Sequence, residues 1–288
     1  MISIALATYN GELYISELLH SISDQTTLPD ELIISDDSST DSTLKIVNEF
    51  ARNVTFPIKI LINKTRLGST ANFEVAIRAC SGDIIFPCDQ DDIWYPHKIE
   101  RMRECLMNNP SAGAAFSDAD VVDQDLNLLK TSLWERKRIK PYELSAISSD
   151  GNAFKMVIKR NIVTGTAMAF RAKYREKIVP IPKEWEHDYW IALIISMSAK
   201  LIPIPSTLIA YRQHGSNKIG APPPTRLNAF IKGSRHDGKS FHEIYNPKVK
   251  AFQKALDRLV ESSVNNTAKG KQKIALIADI ISFHRARS

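Results

Sequence analysis

The chain has 288 residues, 43% hydrophobic and 24% charged, with a net charge of +6, three cysteines and 11 glycines. This is the make-up of a folded globular protein with one large or two modest domains, and it excludes disordered, collagenous and disulfide-framed classes. No run of twenty apolar residues offers a membrane span, and the opening ISIALATYN is too short and too uncharged for a signal peptide, so the expected address is the cytoplasm.

The first hundred residues alternate strand and helix patterns. ISIALAT is a nearly continuous apolar run, as a strand buried on both faces requires, and Tyr9-Asn10-Gly11 turns it into a helix pattern over Glu12 to Ser23. ELIIS (Glu31 to Ser35) is the second strand, closed by DDSSTDS and followed by a helix marked by Leu44, Ile46, Val47 and Phe50. Ile58 to Ile62 is the third strand, Asn72 to Ala79 a helix, and Asp83 to Phe86 a fourth strand that runs into FPCDQDDIWYPHK. Repeated β-α units imply a mostly parallel, Rossmann-like sheet with helices on both sides.

The second half is less regular. Ala112 to Phe116 and Thr164 to Phe170 are strand candidates, with SDADVVDQD read as a polar turn and Trp134 to Lys140 as loop or helix start. Trp190 to Met197 is a helix, Leu201 to Ile204 and Thr207 to Tyr211 are short strands, and Pro222-Pro223-Pro224 marks a break before a helical tail.

Charge divides unevenly along these elements. Residues 216–288 carry 14 Lys and Arg against 5 Asp and Glu, which leaves 24 against 27 in the first 215. A basic tail suits a solvated helical face, a polyanionic partner or an anionic membrane surface. It lacks RNP, KH or zinc-finger patterns, so nucleic acid is not an expected partner. Cys80, Cys88 and Cys105 have no CxxC or Cys/His spacing, so neither a disulfide framework nor a zinc site is implied.

Polar residues gather where strands end: Thr8-Tyr9-Asn10, Asp36-Asp37 and Asp89-Gln90-Asp91. Parallel sheets bind ligands at the carboxyl ends of their strands. Asp89, Asp91 and Asp92 repel one another, and a hard divalent cation, Mn²⁺ or Mg²⁺, offsets that repulsion while holding substrate phosphates. The competing role is a helix cap near Pro96 by Asp91 or Asp92. There is no GxxxxGK[ST] and no GxGxxG after the first strand. A nucleotide here therefore needs the metal for its diphosphate. Asp37 can accept the imide N–H of uracil or thymine, and Tyr9 can stack on the base or simply pack in its turn.

Thr8-Tyr9-Asn10-Gly11-Glu12, Gln25-Thr26, Asp36 to Asp41, Gly68 with Asn72, and Asp89-Gln90-Asp91-Asp92-Ile93-Trp94 together resemble the family 2 glycosyltransferases of GT-A fold. The match in order and spacing runs from residue 2 to about 100, with weaker matches to about 217. The DQDDIW form is similar to bacterial rhamnosyltransferases of polysaccharide synthesis. The resemblance implies a GT-A domain over 1–217, with a nucleotide-sugar half to 100 and an acceptor half beyond it, and a basic helical extension over 218–288.

It also implies roles. Ala7, Thr8, Tyr9, Asn10, Glu12, Asp37, Asn72, Asp89 and Gln90 form the donor site. Asp89 and Asp91 hold the metal, His214 completes its shell, and Arg212 meets the diphosphate. Asp92, Trp94, Gly165 and Thr166 shape the sugar and acceptor side, and Trp134, Trp185 and Trp190 are either a floor for sugars or core. Asp188 is the general base, with Glu186 its competitor and a cap of the following helix its alternative role.

The implied activity is inverting transfer of a sugar, rhamnose favoured, from a dTDP- or UDP-linked donor to a hydroxyl of a surface glycan or lipid-linked oligosaccharide at the inner membrane face. The alternatives are another UDP-sugar (glucose, galactose or N-acetylhexosamine), and a binding module without turnover. A sugar-1-phosphate nucleotidyltransferase is disfavoured by the lack of a glycine-rich phosphate loop. Two tail helices, about 246–263 and 269–286, either lie on anionic lipid or pack on the domain or a second subunit.

Overall fold

Alternate residues of β1 (Ile2–Thr8) face opposite ways: Ile4 and Leu6 enter one apolar cluster, and Ala5 enters another on the far side of the sheet. The computed structural model describes residues 1–149, 152–215, 241–261 and 266–285. β2 (Glu31–Asp36), β3 (Ile58–Ile62) and β4 (Ile84–Asp89) follow the same two-sided pattern, and the parallel order is β3-β2-β1-β4. The chain walks outward from β1 to β3 and then returns to the other side of β1. The carboxyl ends of β1 and β4 therefore flank a topological switch point, the usual place for a ligand crevice. Their register sets Ala7 opposite Asp89.

The sheet continues through β8 (Met168–Arg171), β6 (Ala112–Val122), β9 (Lys200–Arg212) and β5 (Ile93–Trp94), with β7 (Leu128–Ser132) paired to β6. Antiparallel pairs enter at β4–β8 and β8–β6, while β6 and β9 run parallel. One sheet thus spans both halves of the expected GT-A domain.

Helices cover both faces. α1 (Ile15–Ser23), α2 (Thr43–Ala51) and α4 (Lys98–Asn108) bury Leu19, Val47 and Met102 in one cluster. α3 (Ser69–Ala79) and α9 (His187–Ser196) bury Phe73 and Trp190 in the other. Four short helices lie between: α5 (Leu133–Arg136), α6 (Pro141–Ser148), α7 (Ala153–Val157) and α8 (Arg175–Ile178).

Three elements differ from the sequence reading. SDAD is strand rather than turn: in β6 Ser117, Ala119 and Val121 are buried, while Asp118 and Asp120 alternate toward partners. Asp118 accepts the Trp134 N–H, and Asp120 accepts the Tyr95 hydroxyl. Thr164 to Phe170 begins as a 3₁₀ turn, Gly165–Ala167, before β8. The two short strands after Lys200 are one strand that crosses Pro203 and Pro205 with irregular register.

The tail forms α10 (Phe241–Glu261) and α11 (Ala268–Arg285). Their apolar sides dock on the domain: Ala251, Ala255, Ile277 and Ile281 are buried in the α9 cluster, and Phe252 meets Trp185 edge-on. Lys273 donates to Met197 O at 2.7 Å, satisfying a carbonyl at the end of α9. Of the two expected placements of the tail, packing on the domain is the one that these buried residues occupy. Among the described residues no helix is long and apolar enough to cross a membrane. The proline break and the expected boundary after 217 lie outside the described residues.

Docking of the tail has a direct consequence. Ile277→Ala should lower unfolding free energy by about 2–4 kcal/mol, since Ile277 is fully buried. Urea denaturation checks this, and an unchanged midpoint would mean α11 is not packed on the domain.

Candidate active site

A cavity of about 700 Å³ opens at the carboxyl ends of β1 and β4 and extends to α9. Ala7, Thr8, Tyr9 and Asn10 line it from β1, Asp89, Gln90 and Asp91 from β4, and Asn72 from α3. Gly165 and Asp188 line the opposite side, and His214 lines the acidic-loop side against Asp91. Strand ends, acidic cluster and expected base thus share one chamber.

The donor-side loops are fastened by side chains that act as extra strand rungs. Gln90 Oε1 accepts the Tyr9 N–H at 2.8 Å, and Gln90 Nε2 donates to Tyr9 O at 3.0 Å. The amide continues the β1–β4 ladder by one rung. Gly11 is required beside it, because a Cβ there would overlap Gln90 Oε1. Asn10 Oδ1 accepts the Thr40 N–H, and Gly11 donates its N–H to Thr43 Oγ1, which ties the β1 and β2 loops together. Asn72 is 2% exposed; it donates to Thr8 O and accepts from Ser35 and Asn63.

Six expected site residues stand outside the cavity lining. Asp37 is 2% exposed and faces the β3–α3 loop, where it accepts the N–H groups of Leu67 and Gly68 at 2.7 and 2.8 Å. Gly68 has φ 86° and ψ 156°, a conformation that side chains disfavour, so Asp37 holds the one residue that admits this turn. Glu12 accepts the Ser42 N–H and is exposed. Arg212 is buried: its guanidinium donates to Asp91 O, Gln124 O and Glu17 and lies 4.6 Å from the Tyr14 ring. It is a strut behind the acidic loop, not a group facing into the cavity.

Asp92 is 1% exposed, and its Oδ1 accepts the Arg212 N–H at 3.0 Å. Burial, then the neighbouring Asp91 and Asp89 carboxylates, push its pKa well above the carboxylate range. It does not cap α4, whose N-cap position is His97. Trp94 is 2% exposed, packed between Phe86 and the Lys98 ammonium. Thr166 is fully buried. Trp134, Trp185 and Trp190 are likewise core.

On the acidic loop, His214 Nε2 meets Asp91 Oδ2 at 2.8 Å, and the Tyr14 ring lies 4.6 Å from the imidazole. Two carboxylates and an imidazole suit a hard or borderline divalent cation. Among the described residues no three acidic, His or Cys side chains converge into a complete ligand set. A cation held here would draw its remaining ligands from substrate phosphate and water, which is how Mg²⁺ is commonly bound.

Across the cavity, Asp188 sits in the first turn of α9, one residue inside its start, and Glu186 occupies the N-cap position. Its carboxylate accepts from Asn161 Nδ2 at 2.9 Å, the Tyr189 N–H at 2.6 Å and the Gly165 N–H at 3.1 Å. Glu186 is exposed, and among the described residues its carboxylate accepts from Asn161 alone, at 3.2 Å. Asp188 is thus the carboxylate held in one orientation.

Four residues that the sequence reading did not select complete the chamber. Arg66 lies 4.0 Å over the Tyr9 ring, placing a cation at the donor-side rim. Its position between β3 and Gly68 was the available signal. Lys137 donates to Val163 O and Thr164 Oγ1 at 3.0 and 2.7 Å. Burial lowers its pKa while Asp188 and Glu186 oppose that shift. Asn161 and Tyr211 had no sequence signal beyond being polar; burial and the acidic loop raise the Tyr211 pKa, so it stays a neutral phenol.

Comparison with known proteins gives the context for this geometry. The model of glycosyl transferase family 2 matches residues 3–179. The dTDP-rhamnosyl transferase RfbG of Shigella flexneri is 42% identical over 108 residues, covering 36% of this chain and 37% of its own length. Other curated relatives match over 218–219 residues at 26% identity, and the chain spans 58–66% of their length. Among solved structures, Staphylococcus aureus TarS 1–349 in complex with UDP-GlcNAc superposes with a TM-score of 0.64 at 16% identity, covering 99% of this chain and 74% of that one. The mannosyltransferase PcManGT of Pyrobaculum calidifontis, in complex with GDP-Man and Mn²⁺, gives 0.57 at 18% identity, covering 100% and 75%. At these identities the two structures establish a shared fold.

The position of Asp37 sets a stability prediction. Asp37→Ala leaves two backbone N–H groups without their acceptor, so it should cost about 2–4 kcal/mol in urea denaturation. Stability equal to the parent chain would remove its structural role.

Proposed function

The chain belongs to glycosyl transferase family 2, and on that premise we propose that it transfers a sugar from a dTDP- or UDP-linked donor to a hydroxyl of a glycan acceptor. One observation carries the reading: the strand-end loops, the Asp89–Asp91 pair and the firmly held Asp188 face one cavity. The partial likeness to RfbG favours dTDP-rhamnose as donor, and the UDP-sugar in the TarS structure supports a pyrimidine nucleotide more broadly. The free cysteines Cys80, Cys88 and Cys105 agree with a cytoplasmic setting.

In this reading the nucleoside lies along Ala7 to Asn10, with Tyr9 backed by Arg66. Asp89, Asp91 and His214 would hold a divalent cation, Mn²⁺ or Mg²⁺. That cation supplies Lewis-acid stabilisation of the departing diphosphate. The Mn²⁺ in the PcManGT structure supports a divalent cation in this fold. Asp188 takes the proton of the acceptor hydroxyl as its oxygen bonds to the sugar C1. The bond from C1 to the diphosphate oxygen breaks, and the electron pair leaves with the nucleotide. Attack from the α9 side, opposite the acidic loop, inverts the configuration at C1. The Gly165 and Asn161 donors keep the Asp188 carboxylate aimed during that step. A binding module would have no use for so constrained a carboxylate.

Asp188→Asn is the test. Turnover of dTDP-rhamnose or a UDP-sugar should fall about 10²–10⁴-fold. The dissociation constants for dTDP and UDP should stay within about twofold, since Asp188 lies on the far side of the cavity. Undiminished turnover would remove Asp188 as the base, and absence of turnover in the parent chain with every such donor would favour the binding module.

A further inference from the structure

Lys98 is fully buried, seven residues beyond Asp91, at the start of α4. Its ammonium lies 3.0 Å over the Trp94 ring and donates to Thr166 O at 2.6 Å. Burial drives its pKa well below that of an ordinary lysine, and the Cys88, Asp92 and Asp89 groups only partly oppose this. A buried ammonium is costly, and a methionine of similar length would fill the same space over Trp94 without that cost. What a methionine lacks is a donor for Thr166 O.

That carbonyl belongs to the 3₁₀ turn Gly165–Ala167. The same short stretch is gripped from the other side, where the Gly165 N–H donates to Asp188 Oδ2 at 3.1 Å. Lys137 holds the stretch just before it, through Val163 O and Thr164 Oγ1. Gly165 leaves no room for a side chain of its own, because a Cβ there would overlap the His187 imidazole. Four successive residues, 163–166, are thus held by the buried Lys98, the half-buried Lys137 and Asp188. Only Lys98 among these comes from the donor side, rooted beside β5 and the acidic loop.

We propose that Lys98 is a positioning residue that couples the acidic loop to the catalytic wall, holding the Gly165–Ala167 turn so that its N–H orients Asp188. The inference rests on the proposed transfer reaction with Asp188 as base. Lys98 touches neither donor nor acceptor in this account. It acts through the turn, its amino group donating one hydrogen bond in a dry site. The arrangement places the base in register with the loop that holds the leaving group, although the two lie on opposite sides of the cavity.

The experiment compares the full chain with Lys98→Met, Lys98→Gln and Asp188→Asn. Three quantities are measured: metal-dependent hydrolysis of UDP- and dTDP-sugar donors with water as acceptor, the dissociation constants of UDP and dTDP, and hydrogen exchange at the 165–167 amides. Lys98→Met should lower hydrolysis about 10- to 100-fold, the loss expected from a misplaced catalytic group, with nucleotide affinity within about threefold. Exchange at Gly165 and Ala167 should quicken in the same variant. Lys98→Gln, which keeps a donor for Thr166 O, should recover part of both.

Hydrolysis and exchange unchanged in Lys98→Met, with Asp188→Asn inactive, would overturn the proposal and leave the function standing. A parallel fall in affinity and hydrolysis, or equal defects in the Met and Gln variants, would reduce Lys98 to ordinary support and also overturn it. Should Lys98→Met fail to fold, exchange and hydrolysis in Lys98→Gln decide: no partial defect at 165–167 contradicts the coupling. A parent chain that hydrolyses no donor, with Asp188→Asn indistinguishable from it, locates the failure in the functional reading instead.

Discussion

The parallel pairing of β1 with β4 is the contact on which the rest depends. Its register sets Ala7 against Asp89, so the loop after one strand and the acidic loop after the other emerge side by side. Gln90 extends that register past the last strand rung by pairing both amide groups with the Tyr9 backbone. This explains why a neutral residue separates the two expected metal carboxylates. A carboxylate at Gln90 could accept from Tyr9 N but could not donate to Tyr9 O, and it would add a further charge to a loop already crowded with them. Arg212 completes the support from behind by donating to Asp91 O.

The second half of the chain is built to bring one carboxylate to face this loop. α3 is joined to the segment before α9 by the Thr70 hydroxyl donating to Trp185 O, and to α9 itself by Phe73 stacked on His187 at 3.6 Å. α3 also carries Asn72, which fastens the β1 and β2 ends. The helix that seats the donor-side loops is therefore the same helix on which the Asp188 segment rests. The tail helices add to that side, since α10 and α11 bury apolar residues in the same cluster as α9 and Lys273 donates to Met197 O at its end. Their basic residues thus sit on helices whose apolar sides are already used in folding.

The first hundred residues were largely legible because parallel strands buried on both faces read as continuous apolar runs with polar ends. Residue type says least where side-chain direction decides. Asp37 and Arg212 stand at strand ends among cavity-lining residues, yet each turns toward backbone that needs it. Asp92 and Trp94 alternate with neighbours that face other ways, and no spacing rule reveals which way a two-residue strand such as β5 points. SDADVV carried a true period-two pattern, which its acidic residues disguised as a turn. Lys98 carries no signal in the sequence, since lysine is seldom fully buried and composition gives no hint of the Thr166 carbonyl awaiting it.

In the proposed function the acidic loop holds a cation that in turn holds a nucleoside diphosphate. Calorimetric titration of dTDP and UDP, with Mn²⁺ or Mg²⁺ and again after chelation, reads this out. Binding should require the metal and be abolished by Asp91→Ala, with dTDP favoured if rhamnose is the transferred sugar. Binding of equal strength with and without metal, or none under any condition, would contradict it.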